Sequence, residues 1–88
     1  MHRLLIDIVK IKDWLKMSSL ERAMGKRLAF LRQRKLISIE KFSKLVNLPE
    51  FILMQYEFGE RRISPRHLLL ICDALDTTLE EFMNGVVE

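Results

Sequence analysis

The stretch SIEKFSKLVNLPEFILMQYE, residues 38–57, decides how this chain folds. Ser38 is placed to cap a helix, because its hydroxyl can accept from a first-turn amide that has no partner further back. Phe42, Leu45 and Val46 then recur at the i, i+3, i+4 spacing of one buried helical face. Asn47 tolerates the left-handed backbone that ends a helix. Leu48 turns inward, and Pro49 opens a second helix, since proline's missing N–H costs nothing in a first turn. That second helix is expected over 49–58, with Leu53 and Tyr56 inward and Gly59 as its stop. The segment therefore reads as two short amphipathic helices joined by a turn of about three or four residues.

The whole chain has 88 residues, enough for one domain with one modest core. Hydrophobic residues make up 49% and charged residues 31%, with three Gly and two Pro, which favours a folded, mostly helical protein over a disordered one. The single cysteine excludes an internal disulfide and a thiolate-based zinc site, and it fits a reducing cytoplasm. No stretch approaches the roughly 20 uncharged residues of a membrane span. Asp7, Lys10, Lys12 and Asp13 interrupt the leading apolar run, which argues against a signal peptide. No glycine-rich phosphate loop or paired metal-ligand spacing occurs, so no cofactor and no metal are expected.

The net charge of +3 is unevenly spread. Residues 22–67 carry eleven Lys/Arg against four Glu, a net +7, whereas residues 68–88 carry five acids and no Lys or Arg. Two helices across a tight turn are a helix-turn-helix arrangement, in which the second helix can lie in a DNA major groove. A basic middle that coincides with it is the electrostatic footprint of a nucleic-acid binder. Surface helices also carry Lys and Arg for solubility, so charge alone does not decide the matter.

Outside this core motif the chain divides into residues 1–17 and a domain over 18–88. In MHRLLIDIVKIKDWLKM, Leu4, Ile8, Ile11 and Leu15 follow a helical stripe, although the alternation across 6–12 would also suit a strand; helix is the preferred reading. This apolar face is too wide for a solvated tail. With Trp14 it is a candidate dimer arm, and packing on the C-terminal helices of its own chain is the competing reading. Ser18 and Glu21 form an S-x-x-E capping box that starts a new helix over about 19–35, with Met24, Leu28 and Leu31 inward. Ser64-Pro65 opens a helix to about Leu75 that buries Leu68, Ile71, Cys72 and Leu75. Thr78 and Glu81 form another capping box, opening a last helix with Leu79, Phe82 and Met83 inward.

From Met24 to Met83 the chain resembles the phage-repressor/Cro-like (XRE-type) helix-turn-helix family. The resemblance rests on the combination of GKRLxxLR, a Ser opening the second helix, YExGxRRIS and LLxICDALxTTLEEF. It implies an all-α, compact five-helix, lambda-repressor-like domain, here with an extra N-terminal helical or strand segment. It also implies a DNA-binding domain, usually dimeric, that represses or activates transcription at a partly palindromic operator. In this family the residue matching Arg32 pairs with the one matching Glu57, so that ion pair is expected here. The departures are Ile39 where the family often has Gln, Ser43 for Ala, and Asn47 for the turn Gly. On the reading helix, Glu50, Phe51, Ile52 and Met54 stand where polar residues are usual, and only Gln55 remains as an ordinary base-edge reader.

Two functions of different class follow. The first is a sequence-specific regulator, a repressor that binds double-stranded DNA as a homodimer in the cytoplasm of a bacterium or phage host. Glu50, Phe51, Met54 and Gln55 would face the bases, and Lys41, Lys44, Arg61, Arg62 and Ser64 would contact phosphates. The second is a protein-interaction module of antitoxin or regulator-partner type, in which exposed Phe51, Ile52 and Met54 bury against a protein partner. Catalysis is not expected: His67 and Cys72 are five residues apart and fall on different faces of one helix.

Overall fold

Five helices follow one another through residues 19–86, the part of the chain that the computed structural model describes. They are α1 (19–34), α2 (Ile39–Val46), α3 (Glu50–Glu57), α4 (Pro65–Ala74) and α5 (Leu79–Asn84). No strand occurs among the described residues, as the sequence leads one to expect. The leading segment with Leu4, Ile8, Ile11, Trp14 and Leu15, its helix-or-strand alternative, and Ser18 of the first capping box lie outside the described residues.

Local chemistry sets the helix starts. The Ser38 hydroxyl accepts from the Lys41 amide at 3.1 Å, and Ser64 accepts from the His67 amide at 3.2 Å with Pro65 at the first helical position. Thr78 and Glu81 make the full reciprocal capping box. Pro49 differs from expectation. It precedes α3 with extended backbone (ψ 145°) as the cap residue, so the helix begins at Glu50 and has no side-chain cap.

Four helix ends share one device. A left-handed residue follows each of α1 to α4: Leu36 (φ 58°), Asn47 (φ 56°), Gly59 (φ 70°) and Asp76 (φ 52°). After α3, the Gly59 amide donates to the Tyr56 carbonyl at 3.1 Å and the Glu60 amide to the Gln55 carbonyl at 2.9 Å, the Schellman pattern. Leu36 and Ile37 close α1 by the same two bonds, to Gln33 and Arg32, and Asp76 and Thr77 close α4 onto Asp73 and Cys72. Asn47 and Gly59 are the residue types such a turn favours; Leu36 and Asp76 are held there by the hydrogen bonds around them.

The core draws Leu28 and Leu31 from α1, Phe42 and Val46 from α2, Leu53 and Tyr56 from α3, Ile63 from the following loop, Ile71 and Cys72 from α4, Leu75 just after it, and Phe82 from α5. Fully burying one such aliphatic or aromatic side chain contributes about 1.5–3 kcal/mol. Two inward assignments and one outward one change. Leu45 is 54% exposed and Leu79 44% exposed, because α2 turns its Ile39–Phe42–Val46 edge to the core and α5 presents Phe82 and Met83. Ile52, expected outside, packs against the core instead. Met24, Leu48 and Leu68 pack against it as well. Among the described residues no helix is long and apolar enough to cross a membrane.

Cys72 is a small core residue, 4% exposed. Burial pushes its thiol above the ordinary value of 9.0, so the folded protein holds that proton more tightly than the unfolded chain does. This contribution to stability is intact at neutral pH and is lost as the pH rises beyond 9.0. Alkylation of Cys72 at pH 8 should therefore proceed only as fast as the domain opens; labelling at the rate of the denatured chain would contradict its burial. Leu36 is 92% exposed and left-handed, so its side chain has little burial to lose. Left-handed backbone costs a residue with a Cβ about 1–2 kcal/mol, and glycine's extra freedom in the unfolded chain returns about 0.5–1 kcal/mol of that. Leu36→Gly should thus stabilise the domain by about 0.5–1 kcal/mol, a rise of a few degrees in Tm; an unchanged or lower Tm in a thermal melt would count against it.

Candidate nucleic-acid interface

Helix α3 has a held back and an open front. At the back, Leu53 and Tyr56 lie in the core. Arg32 of α1 reaches the far end of the helix, its Nε donating to Glu57 Oε2 at 2.6 Å and its Nη2 to Glu57 Oε1 at 3.0 Å. Nη1 of the same guanidinium donates to the Ile37 carbonyl, ahead of α2, at 2.7 Å. Only 13% of the Arg32 side chain and 11% of the Glu57 side chain meet solvent. The hydrogen bond to Glu57 raises the Arg32 guanidinium above its ordinary value, against the opposing effect of burial, so the guanidinium stays charged.

Two further contacts fix α3. A Cβ on Gly25 would lie 2.3 Å from the Tyr56 carbonyl oxygen and 2.6 Å from that of Glu57, so α1 lies directly on the end of α3 only because residue 25 has no side chain. The Tyr56 hydroxyl meets Nδ1 of His67 on α4 at 2.6 Å, with the rings edge to face. On α1, Arg27 donates to the carbonyls of Phe82 and Glu81 at 3.2 and 3.0 Å, holding α5 by its C-terminal end.

The front carries the residues expected to meet bases. Glu50 is exposed, as are Phe51 (60%) and Met54 (44%), while Gln55 is half-buried. Phe58, which the sequence reading did not single out, continues the same face at 66% exposure. Its position seven residues after Phe51 and four after Met54 is the signal that could have found it.

The expected phosphate contacts fall into three groups. Lys41 and Lys44 are exposed on α2, with Lys44 Nζ 3.6 Å from Glu40 in a pair too solvated to hold either side chain. Arg61 and Arg62 leave the loop after α3 in different directions. Arg61 Nε donates to Gln55 Oε1 at 2.7 Å, whereas Arg62 Nε donates to Glu21 Oε1 at 2.8 Å, back on α1. Gly59 brings the loop close to α1, since a Cβ there would lie 2.7 Å from the Arg22 Cα. The Ser64 hydroxyl already caps α4, which leaves its own O–H free to donate. The structure thus joins Gln55 directly to Arg61 and commits Arg62 to Glu21. His67 is engaged by Tyr56, and Cys72 lies in the core.

A compact five-helix body that presents the front of its third helix, with cations on the neighbouring helix and loop, defines a helix-turn-helix protein. The helix-turn-helix family profile matches residues 28–82, and the chain belongs to that family. It is 32% identical over 65 residues to an uncharacterized HTH-type transcriptional regulator of Rickettsia conorii, an alignment covering 74% of this chain and 52% of that protein. The chain thus spans about half the length of the curated relative it matches. Among solved structures, the clp gene regulator ClgR from C. glutamicum superposes with a TM-score of 0.73 at 21% identity, over 76% of this chain and 87% of that one, which shows the shared fold. The restriction-modification controller protein C.AhdI from Aeromonas hydrophila superposes with a TM-score of 0.68 at 31% identity, over 70% and 94%.

Removing one partner of a buried pair leaves the other charged and uncompensated, at a cost of about 3–5 kcal/mol, whereas replacing both by apolar groups costs far less. Arg32→Met should therefore destabilise the domain by about 3 kcal/mol in urea unfolding. The double variant Arg32→Met/Glu57→Leu should recover much of that loss. Additive single effects would show that the two side chains do not interact.

Proposed function

We propose that this chain is a sequence-specific DNA-binding regulator, a repressor that occupies a partly palindromic operator as a dimer with α3 in the major groove. The observation that carries this reading is the geometry of α3. Its back is pinned by Arg32, Gly25 and His67, while Glu50, Phe51 and Met54 stand exposed on its front and Gln55, held by Arg61, lies half-buried beside them. A rigidly presented helix with Lys41, Lys44 and Arg61 beside it can enter a groove while its flanks take phosphates. Apolar Phe51 and Met54 suit thymine methyl groups, and Glu50 can accept from a cytosine amino group. Arg62 contributes by tying the loop to α1 as much as by its charge. The regulators named above come from bacteria, which supports a bacterial cytoplasmic setting.

Dimerisation has two sources of support. Leu69 and Leu70 on α4 and Leu79 on α5 are 59%, 42% and 44% exposed, on helices other than α3, so a symmetric contact there leaves the front of α3 free. The leading segment with Leu4, Ile8, Ile11, Trp14 and Leu15 is the other candidate.

One observation favours the second reading, a protein-interaction module: Phe51, Met54 and Phe58 make an apolar stripe along the front of α3. Selection of bound sequences from random duplex DNA, with affinity measured against salt, separates the two. A regulator should enrich a palindrome and lose about 10³-fold or more in affinity between 50 and 200 mM salt. That enrichment should vanish on Gln55→Ala combined with Arg61→Ala. No enrichment at near-physiological salt would overturn the regulator in favour of the interaction module.

A further inference from the structure

Gln55 and Arg61 are one unit, joined across the end of α3. The Schellman turn folds the chain back at Gly59 (φ 70°), so that the Glu60 amide donates to the Gln55 carbonyl at 2.9 Å. The next residue, Arg61, then donates its Nε–H to the Gln55 side-chain oxygen at 2.7 Å. Backbone and side chain of Gln55 are thus both gripped by the loop that follows the helix.

This fixes which way the amide faces. A glutamine that points its oxygen at a guanidinium turns its amino group, with two donors, the other way. Arginine has donors only. Every free polar end of the pair is therefore a donor, apart from the second lone pair of Oε1, which lies beside a positive charge. Reading adenine requires an acceptor and a donor together, to meet the N6 amino group and N7, whereas guanine presents two neighbouring acceptors, N7 and O6. An adenine amino group brought to Oε1 would also meet the guanidinium, donor against cation.

We propose that Arg61 is a positioning residue that orients Gln55 to read guanine rather than adenine in the major groove, with its terminal nitrogens on the adjacent phosphate. This rests on the regulator reading above. It makes Arg61 both an anchor on the backbone and, through Gln55, a determinant of one base pair. Loop residues that clamp phosphate ordinarily carry no sequence information; here the clamp sets the reader.

The test is selection of bound duplexes by the full chain and by Gln55→Ala, Arg61→Met and Arg61→Lys. The operator position whose preference Gln55→Ala abolishes is the one Gln55 reads. The wild type should prefer guanine there by about tenfold over adenine. Arg61→Met should move that single position towards adenine while lowering the salt slope by about one phosphate contact. Arg61→Lys should keep the slope, because it keeps the charge, yet shift the base preference as Arg61→Met does, because lysine lacks the planar fork. Preference for any base other than guanine in the wild type overturns the proposal. So does a preference that either Arg61 variant leaves unchanged, or a Gln55→Ala profile identical to the wild type. Failure of the wild type to enrich any site is a different result: it overturns the regulator reading itself, and this proposal with it.

Discussion

One guanidinium holds the arrangement together. Arg32 meets the carboxylate of Glu57 at the end of α3 and the carbonyl of Ile37 ahead of α2, so three consecutive elements share one planar fork. At the burial these side chains have, desolvation offsets most of the Coulombic attraction, and a buried pair is weak support for stability in itself. Its effect is geometric. A bidentate contact tolerates little rotation, so it fixes the angle at which α3 leaves the body. That contact depends in turn on Gly25, because any side chain there would push α1 off the Tyr56 and Glu57 carbonyls.

With the back of α3 fixed, the identity of its front residues decides what the helix can meet. Glu50 shows how two demands fall on one position. Pro49 supplies no side-chain cap, and an acid in the first turn of α3 is favoured by the helix dipole. Glu50 therefore has a structural reason to be present, whatever it contributes at a base edge. Phe51, Met54 and Phe58 have no such reason, since none helps fill the core. Three large exposed apolar side chains on one face form an apolar stripe that the core does not explain.

What the sequence made legible was whatever depends on neighbours in the chain. The caps at Ser38, Ser64 and Thr78, and the left-handed turns at Asn47 and Gly59, follow from residue type alone. Leu36 adopts the same turn without the residue type that announces it, because the flanking hydrogen bonds outweigh the local cost. The misplaced faces have one cause. α2 is only 8 residues long, so a stripe of Phe42, Leu45 and Val46 and a stripe of Ile39, Phe42 and Val46 fit its pattern equally well. Tertiary packing chooses between them. The contacts that shape the site join residues far apart: 25 positions for Arg32 and Glu57, 41 for Arg62 and Glu21, 11 for Tyr56 and His67. No periodicity encodes such pairs. The first was anticipated only through the family resemblance, and the other two were not anticipated.

Charge is unevenly spread along the chain. Residues 22–67, which include α2, α3 and the Arg61–Arg62 loop, carry a net +7, and residues 68–88, most of α4 and all of α5, carry five acids without a compensating base. In space the two runs meet: Arg27 and Arg34 of α1 and Lys35 just after it line one hollow with Asp76 and Glu81, so the exposed cations that flank α3 are those of α2 and of the loop after α3, Lys41, Lys44 and Arg61. Leu69, Leu70 and Leu79 are exposed on α4 and α5. The exposed cations beside α3 and the exposed leucines of α4 and α5 thus sit on different helices.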